Sequence, residues 1–224
     1  MTGTLLVSFA YLLLTVAVVQ AARLLRARFA ARVKGAAGEA FIAIWARGRR
    51  LVAAHDIILP REDGRLTQID HVVRHADGLL VIETKHYAGA IYGKADEPFW
   101  TQRLGGQRKR FQNPLRQNES HVEAVRLAAP QLAEGMAVEG VVVFTGSASL
   151  HLTGCEGLVY ALPAFKKCFR SLRDNPRNRL LITQWGRLER AAKQHAGQRK
   201  EHLAQLAARH GAKVSAIRSD SPMV

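Results

Sequence analysis

Residues 5–22 carry no charged side chain, and Arg23, Arg26, Arg28, Arg32 and Lys34 follow at once. Eighteen residues dominated by Leu, Val and Ala span about 27 Å as a helix, close to the ~30 Å hydrocarbon core of a bilayer. The pattern predicts one membrane-crossing helix, and the basic cluster after it places the remainder of the chain on the cytoplasmic side. A cleaved signal peptide ending at Val19-Gln20-Ala21 is the rival reading. It is disfavoured because no basic residue precedes the apolar run and several follow it. A buried helix of a soluble domain is the third alternative.

Beyond residue 34 the periodicity changes. Residues 36–50 read as an amphipathic helix, with Phe41, Ile44 and Trp45 at helical spacing. Short strands are predicted at 52–59, 66–74 and 79–85, with turn chemistry at Arg61-Glu62-Asp63-Gly64 and a further strand near 90–92. Residues 98–106 read as irregular, with Trp100 as a packing anchor. Asn113-Pro114 supplies a cap and a first-turn proline for a helix that stops at Pro130. The continuous apolar run 140–144 suits a strand buried on both faces. A short strand at 158–160 and helices at 163–172 and 177–195 complete the order, which is an α/β arrangement with a mixed sheet.

Charge refines this picture. The chain of 224 residues has 33 basic and 18 acidic side chains, a formal +15. Residues 35–150 are nearly neutral, with 14 basic against 13 acidic, whereas 151–224 hold 14 against 5. The excess therefore lies on the flanks, where nucleic acid or an anionic membrane surface would be the partner. Cys155 and Cys168 have no zinc-ligand spacing and read as reduced thiols.

The chemistry concentrates at one predicted hairpin. Asp70 ends one apolar strand and Glu83-Thr84-Lys85 ends the next. If Asp77-Gly78 is the turn, Asp70 faces Lys85. If Ala76-Asp77 is the loop, Asp70 faces Glu83. Under strict alternation, both registers place Asp70, Glu83 and Lys85 on one face. Two carboxylates so close repel unless a cation lies between them. Magnesium prefers such hard oxygen ligands, and a lysine beside them could offset charge in a phosphoryl transition state. An ordinary Asp–Lys cross-strand pair with Glu83 at a solvated strand end is the competing reading.

The residues around this hairpin carry a family resemblance. In order they are Gly38-Glu39, Asp56-Ile57-Ile58-Leu59-Pro60, Thr67-Gln68-Ile69-Asp70-His71-Val72-Val73, Gly78, Val81-Ile82-Glu83-Thr84-Lys85, Tyr87-Ala88-Gly89, Trp100, Asn113-Pro114 and Gln117-Asn118. This set resembles the nuclease-related domain (NERD), a branch of the PD-(D/E)xK nuclease superfamily, over residues 35–150. The resemblance implies a restriction-endonuclease-like core, a mixed central sheet flanked by helices. It implies Asp70 and Glu83 as metal ligands, the Thr84 carbonyl and Glu39 as further ligands, and Lys85 as the catalytic lysine. Gln117 would position substrate or Lys85. Ile69 stands where the wider superfamily has proline, a position that is not a ligand. His71 is expected to be structural, and His86 and His121 are weaker candidates.

Four segments follow: an anchor with its basic juxtamembrane stretch (1–34), the nuclease-like core (35–150), a basic helical part (151–214) and a disordered tail (215–224). The expected function is a single-pass, membrane-anchored nuclease on the cytoplasmic side of the cell membrane. It would hydrolyse phosphodiesters in DNA, with RNA as the alternative substrate, using Mg²⁺ or Mn²⁺ and no small-molecule cofactor. Arg103, Arg108, Lys109 and Arg110, in a loop before the Asn113 helix, are the expected nucleic-acid contacts. A non-catalytic nucleic-acid-binding or scaffolding module that keeps the fold is the alternative, and a membrane-surface adaptor is a third.

Overall fold

A computed structural model describes residues 2–132 and 136–198, with side chains described from residue 13 except at 24, 27–34 and 132. Helix α1 (Thr2–Gly48) is continuous, so the predicted membrane segment and the predicted amphipathic helix are one element. Strands β1 (Ala53–Pro60), β2 (Leu66–His75), β3 (Gly78–Lys85) and β4 (Gly89–Lys94) follow, then β5 (Phe99–Leu104) and β6 (Gln107–Gln112). Helix α2 (Pro114–Ala128) leads to β7 (Ala137–Phe144), β8 (Ala148–Thr153), β9 (Val159–Ala161), α3 (Leu162–Cys168) and α4 (Arg179–His195).

The predicted single sheet is two mixed sheets. The first has the order β1-β2-β3-β7-β9 and the second β6-β5-β4-β8. Residues 98–106 are not irregular: they form β5 and its turn into β6, and β8 is a strand that the sequence pattern did not reveal. The turn at Gly105-Gly106, with φ of 55° and 80°, closes the hairpin through glycine's freedom in the left-handed region.

Both faces of the first sheet are covered. On one, Leu59, Val72, Leu79 and Val81 pack against Val122 and Val125 of α2 and Leu181, Trp185 and Leu188 of α4. On the other, Val73, Leu80, Ile82, Val141 and Val143 pack against Ile42, Trp45 and Ala46 of α1 and Phe165 of α3. The α1 stripe is therefore 42-45-46; Phe41 and Ile44 of the predicted stripe are 41% and 67% exposed. Each buried side chain of this size contributes about 1.5–3 kcal/mol.

Two parallel strand pairs cross together between the sheets. Lys85 pairs with Phe144, Thr145 N donates to Lys85 O at 3.0 Å, and Gly89 then pairs with Ala148. A Cβ at Gly146 would lie 2.1 Å from the Tyr87 carbonyl oxygen. The corner thus needs a residue without a side chain.

Along α1, Leu13, Leu14, Val16, Val18 and Val19 are exposed. Among the described residues no helix is long and apolar enough to cross a membrane. The apolar run 5–22 begins on side chains outside the described residues, as does the whole of the tail expected at 215–224.

Candidate active site

Alternation along β3 puts Leu79 and Val81 into the core under α2, and continues on that face to Glu83 and Lys85. Helix α2 begins where the sequence places it: the Asn113 side chain accepts from Leu115 N, and Pro114 opens the first turn. Asn118 Nδ2 donates to the Val141 carbonyl at 3.0 Å, which fixes α2 over the parallel pair β3–β7. Gln117 and His121, one turn apart, then meet the two charged residues at the end of β3.

Lys85 Nζ donates to Glu83 Oε1 and, at 3.0 Å, to Gln117 Oε1. His121 Nε2 lies 3.2 Å from Glu83 Oε2, and its Nδ1 lies 3.0 Å from the Thr67 hydroxyl. The same Nε2 lies 3.4 Å from Gln117 Nε2, so it faces a carboxylate on one side and an amide donor on the other. The approach of His121 is not aligned as a hydrogen bond, and Glu83 Oε2 is buried without one.

Asp70 departs from the expected geometry. The hairpin uses the Ala76-Asp77 loop, with His75 opposite Gly78, and the ladder ends at His71–Ile82. Ala54 and Ile57 on β1, and Ile69 and Val72 on β2, lie three apart yet pack against one cluster. Residues three apart on a regular strand face opposite sides, so both strands turn over at this level. Asp56, at φ 54°, marks the kink. Asp70 is therefore not in a plain cross-strand pair with Glu83 or Lys85. Its Oδ2 accepts from the amide and the hydroxyl of Thr84, at 2.9 and 2.8 Å.

Electrostatics tie the group together. Burial, repulsion from Glu83 and a smaller repulsion from Glu39 push Asp70 up to about 7, against the opposing Thr84 hydrogen bonds. Burial also acts upward on Glu83, but Lys85 and His121 overcome it and hold that carboxyl below its ordinary value. Burial acts downward on Lys85, yet Glu83, Tyr87 and Asp70 raise it above the usual lysine range. Lys85 is a cation at neutral pH and not a base.

Glu39 acts on this group only through a weak repulsion of Asp70, and its neighbour on α1 is glycine. A Cβ at Gly38 would lie 2.5 Å from Thr145 Oγ1 and 3.2 Å from His86 Cβ, so α1 lies against the strand ends only without one. His71, expected to be structural, is buried against His55, with the two Nδ1 atoms 2.8 Å apart. Burial and His55 lower it to about 3. His86 Nδ1 meets the Thr145 hydroxyl at 3.2 Å.

Among the described residues no three His, Cys, Asp or Glu side chains are gathered into a ready metal site. The donor set nevertheless suits a hard divalent cation. Asp70 and Glu83 crowd each other, and Glu83 Oε2 is a buried oxygen without a hydrogen bond.

Asp70 gives a signed pH prediction. Its folded value of about 7 lies above the ordinary 3.8. The folded chain therefore keeps a proton that the unfolded chain releases, and stability falls as pH rises from about 4 through about 7. In EDTA, Asp70→Asn should melt several degrees above the parent at pH 8 and close to it at pH 4. Full ionisation bounds the gain at about 4 kcal/mol. Melting curves whose difference does not change with pH would remove the crowded-carboxylate account.

The expected nucleic-acid contacts do not lie in a loop. Arg103 is on β5 and Arg108, Lys109 and Arg110 are on β6, all exposed. Arg103 pairs with Arg108, and Arg110 with Thr101. Lys109 pairs with Gln102 and shares the Trp100 face, apart from the three arginines. Trp100 is fully buried and donates from Nε1 to the Lys94 carbonyl at 2.8 Å, the anchoring role expected of it.

His121 and Thr67 were the positions least visible in the sequence. The only signal for His121 was its spacing of one turn from Gln117; Thr67 opened the resembling run 67–73 but carried no role there.

The profile of the nuclease-related domain matches residues 34–145. An uncharacterized protein of Bacillus anthracis is 42% identical over 71 residues, which is 32% of this chain and 34% of the relative's length. No solved structure matches the chain. The domain match covers half of the chain and includes Glu39, Asp70, Glu83, Lys85, Gln117 and His121. The chain belongs to the nuclease-related domain family.

Proposed function

We propose that this protein is a metal-dependent nuclease that hydrolyses phosphodiester bonds in DNA, held at the cytoplasmic face of a membrane by α1. The observation that carries the reading is the meeting of Asp70, Glu83 and Lys85 with Gln117 at the end of β3, inside the family-matched region. Asp70 and Glu83 would hold Mg²⁺ or Mn²⁺, with the Thr84 carbonyl and Glu39 as further donors. When bound, the cation would polarise the phosphodiester and make a water more acidic.

The remaining work falls to the chain's own groups. Lys85 stays protonated, so it donates hydrogen bonds and offsets negative charge as the phosphate is attacked. Gln117 Oε1 accepts a hydrogen bond from one of the Lys85 N–H groups and so fixes the direction of the others. Thr84 holds one oxygen of Asp70 with both of its donors and leaves the other unengaged by it. The membrane part of the proposal is supported by the apolar run 5–22 with its basic flank, and by the exposed apolar side chains of α1.

The second reading, a nucleic-acid-binding module without hydrolysis, is favoured by one feature. Glu83 is engaged by Lys85 and His121 and must loosen from at least one of them to ligate a cation. The full chain in detergent, given plasmid and linear DNA with Mg²⁺ or Mn²⁺, should cut both, and EDTA should stop it. Cleavage that persists in EDTA would overturn the metal-dependent reading. Tight binding without cleavage would establish the module instead.

A further inference from the structure

The inward face of the second sheet is filled by Ile91, Trp100 and their apolar neighbours. Its outward face has a different composition. Across β6, β5, β4 and β8 one row reads Arg110, Thr101, Tyr92, His151, and the next begins Arg108, Arg103. The Tyr92 and His151 rings are stacked, with centroids 4.8 Å apart and planes 12° apart. The Arg103 guanidinium lies 4.9 Å from the Tyr92 centroid, and that of Arg110 lies 4.9 Å from Phe99. Tyr92 and Phe99 are 37% and 43% exposed.

Within the chain this arrangement is unfavourable. Arg103 and Arg108 are directly opposed, and like charges so placed repel. Among the described residues neither they nor Arg110 has an acidic partner. Exposed rings gain little from water. The same features suit an external polyanion that carries flat apolar groups. A guanidinium resting on a ring keeps its in-plane N–H donors for phosphate oxygens. The stack of Arg103, Tyr92 and His151 ends at β8, the edge strand, where a further flat ring could extend it.

We propose that this outward face binds single-stranded nucleic acid, with Arg103, Arg108 and Arg110 on the phosphates and His151 and Phe99 against unpaired bases. Duplex bases are already stacked on one another and offer no face to such rings, whereas every unpaired base does. The inference rests on the nuclease reading only for its purpose, which is to hold the substrate strand near the cutting residues. Tyr92 follows Lys85 by seven residues, at most about 25 Å of extended chain. Sequence preference is not expected, because neither arginine–phosphate contacts nor stacking reads base edges.

The test is fluorescence anisotropy of the full chain in EDTA, with labelled oligodeoxythymidine and a blunt duplex of equal length, over a salt series. The single strand should bind tighter than the duplex by about tenfold or more, and affinity should fall steeply with salt. Arg103→Gln with Arg110→Gln should weaken single-strand binding about tenfold or more and reduce the salt slope by about 1.4. His151→Ala should narrow the gap between single strand and duplex. Melting curves check that each variant folds. Variants that bind like the parent, or a duplex that binds as tightly as the single strand, would overturn the inference. So would arginine-dependent binding to phosphatidylserine vesicles in place of the oligonucleotide. Binding is read without turnover, so a chain that binds as described but never cuts loses only the nuclease reading. A chain that cuts while its binding ignores these variants loses only the inference.

Discussion

Lys85→Met is expected to reduce DNA cleavage by about two to three orders of magnitude, the scale seen when a preorganised charge-stabilising donor is removed. Methionine keeps the length of the side chain and removes its charge. Lys85 is held as a cation by Glu83, Tyr87 and Asp70 and is aimed by Gln117, so no neighbour replaces it. The substitution also frees Glu83 from its strongest opposing charge. Burial then raises that carboxyl toward its neutral form, which limits the cost to stability to roughly 1–3 kcal/mol. Cleavage at saturating Mg²⁺, measured beside a melting curve, separates the two effects. Activity within tenfold of the parent would remove Lys85 from the mechanism.

The largest effect on stability is expected away from the site. Arg74 on β2 donates from Nε to Asp174 Oδ1 at 2.8 Å and from Nη2 to Oδ2 at 2.7 Å. The two side chains are 9% and 14% exposed, and the guanidinium lies 5.9 Å from the Trp185 ring centroid of α4. A second tie runs from Ala76 N to the Arg173 carbonyl at 2.8 Å. Together they fasten the segment between α3 and α4 to the hairpin that carries Asp70. Asp174→Ala leaves a buried guanidinium without its partner, at about 3–5 kcal/mol. For a chain of this size that is a fall of roughly 10 °C in melting temperature. Arg74→Met combined with Asp174→Leu should recover most of the loss, because two apolar groups leave no buried charge. A single variant that costs under about 1 kcal/mol would show the pair to be screened by water.

Most of the elements were legible because their signals are local. Asn113-Pro114 marks the start of α2, the run ending at Phe144 marks β7, and alternation along β3 puts Glu83 and Lys85 on one face. The hairpin β5–β6 escaped notice because Arg103, Arg108, Lys109 and Arg110 break the apolar alternation. Its inner face depends on Trp100 and Phe111, which are too far apart in sequence to read as a period. The Phe41–Ile44–Trp45 stripe was misplaced by one position, since helical spacing alone does not say which of two adjacent stripes meets the sheet.

The sequence by itself determined the family, the start of α2 and the hairpin that carries Asp70, Glu83 and Lys85. Its charge distribution also marked the flanks as the basic parts. Only the tertiary structure decided how Asp70 enters the site. A strand kink takes it out of the regular ladder, and its carboxylate accepts from Thr84 while still facing the charge of Glu83; strict alternation has no means to foresee a kink. The packing of α2 brought His121 to Glu83, with Thr67 behind it at the other ring nitrogen. The crossing of two strand pairs at Lys85 and Phe144 produced a second sheet with an arginine and aromatic face. Each of these depends on contacts between residues far apart in the chain, where local pattern carries no information and packing chooses.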